Sequence, residues 1–455
     1  MKPILLLFFL FALSVKSTSC AGQGIVFESG SWEDAVKKAR KQKKLLFLHV
    51  DAPQCGGCTE TVNVAFNSPL LREKFALNFI SFRVDGTTAV GRELVEKLEI
   101  ECTPSSAYLD VDENPLARFC GSTTFDRAYL EKAEEAMTRH RTQPMKPLTD
   151  AYAKGDRSPA LMRNYINRRR EIGLSTGDLL DEYIRQLPPD SLQSAALLRF
   201  IFEQGPIVSS KPDSVFRARY SRVDSLYRVV GWNKAVELNN RTINNSIRKA
   251  IRNKDMTLAV RTAAFVQRTH QNNIKNGMAG REWTMVRYYR GIKDTARFLS
   301  AAVRYYDTYF MTARVDSIQN LDNLENQRRM RGTIPPSGGV RPGGSMTSVS
   351  SPQSFVLNPN TQRFVGALNN AAWEFYGMTK DPVFLGKALD WSKRSLEFRE
   401  DPSSMDTYAH LLYRLNRKAE AIDWQEKAVQ KSKEFQFPSV TSLEKALQQM
   451  KDGTL

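Results

Sequence analysis

Two cysteines separated by two glycines, Cys55-Gly56-Gly57-Cys58, stand where the chain passes from an apolar run, residues 45–50, into a stretch able to start a helix. This setting constrains the fold more than any other feature, because a C-x-x-C pair between a strand and a helix is a redox centre rather than two incidental thiols. Two intervening residues on a first helical turn hold both sulfurs close enough to bridge, and the unpaired N–H groups and dipole of that turn stabilise a thiolate.

The segments around this pair alternate between helical and strand periodicity. Trp32, Ala35, Val36 and Ala39 fall at helical spacing behind Ser31, a candidate N-cap with Asp34 three residues on. After the cysteines, Asn67-Ser68-Pro69 interrupts a helical stretch and starts a helix over 70–76, and 79–84 alternates like a second strand ending at Asp85. A short helix over 92–98 precedes Thr103-Pro104, and residues 107–109 and 116–120 read as a hairpin about Asp112-Glu113-Asn114-Pro115. Gly121 ends the hairpin, and 125–137 is a closing helix.

This order of elements, with Cys55-Gly56-Gly57-Cys58 at a helix start and Thr103-Pro104 before the hairpin, resembles the thioredoxin fold over roughly residues 24–140. The resemblance implies that Cys55 is the exposed attacking thiol and Cys58 the resolving thiol that releases a mixed disulfide. It also places Thr103 and Pro104 against the substrate, where a cis proline would present a free backbone edge to a bound peptide. Gln54, the Gly56-Gly57 centre and Thr59 depart from the usual Trp, Gly-Pro and Lys of the family. His49 stands where thioredoxins bury an Asp, as a possible base for Cys58 or as a satisfied core residue.

The competing reading of Cys55 and Cys58 is a permanent structural bridge or a pair without turnover. Metal binding lacks support, since His49, His140, His270 and His410 form no i,i+4 pair near the cysteines, and no cofactor is expected. Cys102 and Cys120 read either as a second redox pair or as small buried hydrophobes. A turn centred near Glu113 sets Cys120 opposite about Ser106 and leaves Cys102 out of register beyond the roughly 7 Å Cα limit, favouring the second reading.

Residues 1–21 read as a signal peptide: Lys2, an apolar stretch from Ile4 to Val15, then Ser17-Thr18-Ser19-Cys20-Ala21. Cleavage near Gly22 points to a periplasmic or secreted protein, with a lipid anchor at Cys20 as the variant. No later run approaches the ~20 apolar residues of a membrane span. Only four cysteines remain after processing, too few for a disulfide-stapled scaffold.

The expected organisation is a thioredoxin-like α/β domain over 22–141, a helical region over 142–331, a flexible Pro/Gly/Ser-rich loop over 332–354 and a further helical region over 355–455. Of the net charge of +17, residues 22–141 carry 16 Lys and Arg against 18 Asp and Glu, and residues 142–455 carry 48 against 31. The basic surplus thus belongs to the helical part. Export argues against nucleic acid as its partner, and tyrosines half-buried under arginines account for Arg287-Tyr288-Tyr289-Arg290 and Arg304-Tyr305-Tyr306.

Ala388-Leu389-Asp390-Trp391 and Ala421-Ile422-Asp423-Trp424 lie 33 residues apart, near the period of about 34 of the tetratricopeptide repeat. Residues 406–431, with Ala409, Leu412, Ala421 and Ala428, resemble one such unit, preceded by a degenerate one over 372–398 with a longer turn. The resulting reading is an exported thiol–disulfide oxidoreductase acting on protein thiols and disulfides, with an unidentified redox partner and a partner-binding helical region. The rival reading is a non-enzymatic helical-repeat adaptor carrying a redox-inactive module.

Overall fold

The computed structural model describes residues 24–51, 64–100, 102–218, 220–270, 273–333, 358–434 and 440–455. Residues 1–21, expected to be a signal segment, with Cys20, and the Cys55–Cys58 pair, lie outside the described residues. The chain divides into two compact units, residues 1–147 and 148–455.

In the first unit, helix α1 (Trp32–Gln42) begins at a reciprocal capping box: the Ser31 hydroxyl accepts from the Asp34 N–H, and the Asp34 carboxylate accepts from the Ser31 N–H. Strand β1 (Leu45–Asp51) follows, then α2 (Pro69–Asn78), β2 (Phe79–Asp85), α3 (Ala89–Lys97), the hairpin β3 (Ser105–Leu109) and β4 (Pro115–Cys120), and α4 (Asp126–Thr142). Ser68 precedes α2 without capping it and donates instead to the Asp126 carboxylate at the start of α4.

The four strands run in the order β2-β1-β3-β4, with β1 and β2 parallel and the other pairs antiparallel. Because side chains alternate across the pleat, β1 sends Leu46, Leu48 and Val50 to one face, and Leu45, Phe47 and His49 to the other. The first set packs with Trp32, Val36, Ile80, Phe82 and Leu94, and Leu45 and Phe47 pack with Phe75, Phe79, Tyr108 and Tyr129. Phe47 anchors its face, its ring centroid 4.8 Å from that of Phe75 and 5.0 Å from that of Tyr108. The Tyr108 hydroxyl donates to the Tyr129 carbonyl at 3.0 Å and ties the sheet to α4.

The second unit is all-helical as described. The double proline at 188–189 begins a short 3-10 turn, Pro189–Gln193, and Gly205 ends the Ala195–Gln204 helix at φ 68°, a left-handed conformation that glycine adopts without a Cβ penalty. Gly332 and Thr333, assigned to the flexible loop from sequence, close the Val315–Thr333 helix; the rest of that loop lies outside the described residues.

Toward the carboxyl end, Pro359–Met378 pairs with Pro382–Phe398, and Pro402–Arg414 with Lys418–Glu434, consistent with tetratricopeptide-like pairs. The two copies of the Ala-x-Asp-Trp echo fall in the second helix of each pair. Ala388, Ala409, Leu412, Ala421 and Ala428 are all fully buried. The longer turn expected in the first pair is absent, because residues 379–381 and 415–417 are connections of equal length; the first pair differs in having a longer leading helix.

Trp391 is the largest fully buried side chain of this unit, its ring centroid 4.8 Å from that of Phe375 and 5.1 Å from that of Tyr306. The indole N–H donates to the Asp307 carboxylate at 2.8 Å, and Lys387 donates to the other oxygen of that carboxylate at 2.8 Å. In the Arg-Tyr stretches Arg290 and Arg304 are exposed and Tyr289 is half-buried, as expected, while the other tyrosines are core. Tyr288, Tyr305 and Tyr306 are buried, deeper than the half-burial expected, while Arg290 reaches Glu374 at 2.5 Å and Arg304 reaches Glu282 at 3.6 Å. Burial raises the Glu374 carboxyl above its usual range, with Arg290 opposing. Rings held this way are closed to base stacking.

Candidate active site at the carboxyl end of the central strand

The chain enters the Cys55–Cys58 segment from Asp51, the last residue of β1. Antiparallel pairing of β1 with β3 sets Val50 opposite Ser105, so Thr103-Pro104 sits at this same end of the sheet. The Thr103–Pro104 peptide bond is cis. A Cβ built on Gly86, just past β2, would lie 3.0 Å from Val50 Cγ1 and 3.4 Å from Thr103 Cγ2, so the ends of β1, β2 and the proline loop converge here. The Gly86 N–H donates to the Asp51 carbonyl at 3.0 Å, and Gly121 donates to the Pro104 carbonyl at 2.9 Å. One backbone acceptor of the proline loop is therefore engaged within the domain, while Thr103 is exposed and Pro104 half-buried.

His49, the possible base, is fully buried. Its Nδ1 lies 2.9 Å from the Ser106 hydroxyl, its ring stands edge-on to Phe66 at 4.9 Å between centroids, and its Nε2 lies 3.3 Å from an Asp51 carboxylate oxygen without hydrogen-bond alignment. Asp51 in turn accepts from the Arg83 guanidinium. Ser106, His49, Asp51 and Arg83 thus form a polar chain on one sheet face, leading from the hairpin to the residue that opens the cysteine segment.

Burial alone would raise the Asp51 carboxyl, but its contacts with His49 and Arg83 outweigh burial and hold it below 3.8. A carboxyl lowered by folding adds stability above its unfolded pKa, and that stability is lost as pH falls through the folded value. Asp51→Asn should therefore destabilise the domain by about 1–2 kcal/mol at neutral pH, the scale of a charge-assisted hydrogen bond. The difference from the unaltered protein should shrink toward zero in urea titrations repeated at successively lower pH below 3.8. A gap that persists unchanged in acid would assign the effect to packing instead.

Sequence reasoning singled out His49 but missed Asp51, Arg83 and Ser106. Asp51 was findable, because i and i+2 on a strand share a face. Arg83 and Ser106 were not, since their placement rests on the strand pairing that sets both Arg83 and Ser106 opposite His49.

The reading of Cys102 and Cys120 as small buried hydrophobes is corrected. They form a disulfide with Cα atoms 5.8 Å apart, Cys102 half-buried and Cys120 exposed. The register argument failed on two counts. The Leu109–Pro115 pairing centres the turn near residue 112 rather than Glu113, so that past the irregularity between Tyr108 and Leu109 the ladder sets Cys120 opposite Ser105 rather than Ser106, and the chain ahead of β3 stays beside the end of β4 instead of continuing the ladder. Among the described residues no group of three or more His, Cys, Asp and Glu side chains could hold a metal ion, and no helix is long and apolar enough to cross a membrane.

A mixed four-stranded sheet flanked by helices, with a cis-proline loop at the carboxyl end of its central strand, defines a thioredoxin-like domain, followed here by a large all-helical region. A family model described as a thioredoxin-like domain matches residues 32–134. Among solved structures, the solution structure of a "putative disulphide-isomerase" from Bacteroides thetaiotaomicron shares 23% identity, covering 27% of this chain and 98% of that one, with a TM-score of 0.24. No curated protein matches the chain. The family match supports a thiol–disulfide oxidoreductase class for the amino-terminal domain.

Proposed function

We propose that the protein is an exported thiol–disulfide oxidoreductase that exchanges disulfides in protein substrates through Cys55 and Cys58, while its helical region binds those partners. The observation that carries this reading is the location of Thr103-Pro104 beside Val50, at the strand end from which the chain runs into Cys-Gly-Gly-Cys. In this reading the Cys55 thiolate attacks a substrate disulfide, forming a mixed disulfide and expelling the substrate's other sulfur as a thiol. Cys58 then attacks Cys55, returning a reduced substrate and leaving an oxidised pair; the reverse sequence oxidises a dithiol. His49 and Asp51 are the candidate relay for the proton that Cys58 gives up. Export to the periplasm or exterior rests on residues 1–21, with Cys20 as the site of the lipidated variant.

The test is a trap. With Cys58→Ser the resolving step is removed, so mixed disulfides with client proteins should accumulate on Cys55 in the cell envelope, vanish on adding dithiothreitol, and be absent from Cys55→Ser/Cys58→Ser. An empty trap across several growth conditions would overturn the oxidoreductase reading and favour the adaptor.

A further inference from the structure

The Cys102–Cys120 disulfide is not part of either hydrophobic cluster of its domain. It joins the last residue of β4, an edge strand, to the residue ahead of Thr103-Pro104. Two hydrogen bonds close the same junction independently: Arg118 donates to the Glu99 carbonyl at 2.8 Å, and Gly121 donates to the Pro104 carbonyl at 2.9 Å. The Gly121–Pro104 hydrogen bond thus holds the proline loop to the end of β4 alongside the disulfide. Cys120 is exposed, which sets its half of the bond at the domain surface, and exposed disulfides are the labile members of their class.

We propose that Cys102–Cys120 is a second redox site, reduced and re-formed in the folded protein by external dithiols, with the Cys120 sulfur as the point of attack. A donor thiolate bonds to Cys120, the Cys102–Cys120 bond breaks, and Cys102 leaves as a thiolate that takes up a proton. The donor's second thiolate then attacks the donor sulfur, closing the donor's own disulfide and releasing Cys120. The donor loses two electrons and two protons, and the cysteine pair gains both. Reduction frees two thiols directly beside Thr103, at the edge where the proposed substrates dock.

The site is tested apart from the first pair by using Cys55→Ser/Cys58→Ser, with dithiothreitol as the probe, acid quenching and maleimide mass tagging. Two tags should appear together in native buffer, with the far-ultraviolet circular dichroism unchanged, at a rate that sub-denaturing urea alters by less than about twofold. Tags that appear only as urea unfolds the domain, or two thiols already free before any reductant is added, would overturn the proposal. Should the double variant not fold, the same titration on the unaltered chain, read by peptide mass mapping of Cys102 and Cys120, gives the same two outcomes. As a check on the point of attack, brief exposure of the folded double variant to reduced glutathione, quenched in acid, should place the glutathione on Cys120, with Cys102 released as the free thiol, at least about tenfold more often than the reverse; equal loading of the two cysteines would refute that assignment.

Discussion

Cys55→Ser should bring insulin reduction with dithiothreitol as donor down to the rate measured without protein. A hydroxyl stays protonated at neutral pH and forms no mixed disulfide, so position 55 loses the attacking role. The other pair is not expected to compensate: Cys120 ends an edge strand and Cys102 precedes the proline loop, so neither thiol, once reduced, has a helix start to lower its pKa. A companion measurement separates loss of chemistry from loss of fold: the melting profile of Cys55→Ser should match that of the unaltered chain. In the unaltered chain, limiting iodoacetamide at pH 6 should label one cysteine far faster than the rest, since only a lowered pKa leaves appreciable thiolate there. Residual turnover in Cys55→Ser, or uniformly slow labelling, would sink the assignment.

The second large effect lies in the helical unit. Trp391→Ala should cost about 4 kcal/mol, the range for emptying an aromatic site in a packed core. The loss is compounded because Asp307 forfeits one of its two donors while Lys387 stays bound to the other oxygen. Such a loss shifts the folding equilibrium of that unit roughly a thousandfold. Because the two units have separate cores, urea unfolding followed by circular dichroism should show the helical transition moving to lower denaturant while insulin reduction by the amino-terminal domain persists. Trp391→Phe keeps most of the volume and loses only the indole donor, so it should cost much less. A single shared transition that moves as a whole would show instead that the units are thermodynamically coupled.

What could be read from the residues follows the range of the interactions that set them. The capping box at Ser31 and Asp34, the apolar run of β1, and the small-residue echo at Ala388 and Ala421 are local signals, and the structure keeps each of them. Pairings across the sheet are another matter. The one-residue irregularity at Tyr108 and Leu109 leaves no mark in the sequence, yet it decides which residue faces Cys120. The Asp51–Arg83 contact depends on the register of two parallel strands separated by a helix, which no local pattern encodes. In the helical unit, the π-turn Asp307–Met311 extends the Thr295–Tyr306 helix and presents the Asp307 carboxylate to Trp391, a contact 84 positions apart in sequence.

The two rims of the sheet are unequal. Along the outer side of β2 the chain just before α1 is laid down as a strap: Ile25 donates to the Phe66 carbonyl at 2.7 Å, Glu28 donates to the Ser81 carbonyl at 2.8 Å, and Phe27 bridges to Ser81 in parallel. A bare rim of this kind invites other chains to add to it. Trimming the chain past Glu28, whether by a protease or in the laboratory, would strip that strap and leave β2 ready to zip onto a neighbouring molecule, so the few residues ahead of α1 act as the domain's guard against clumping.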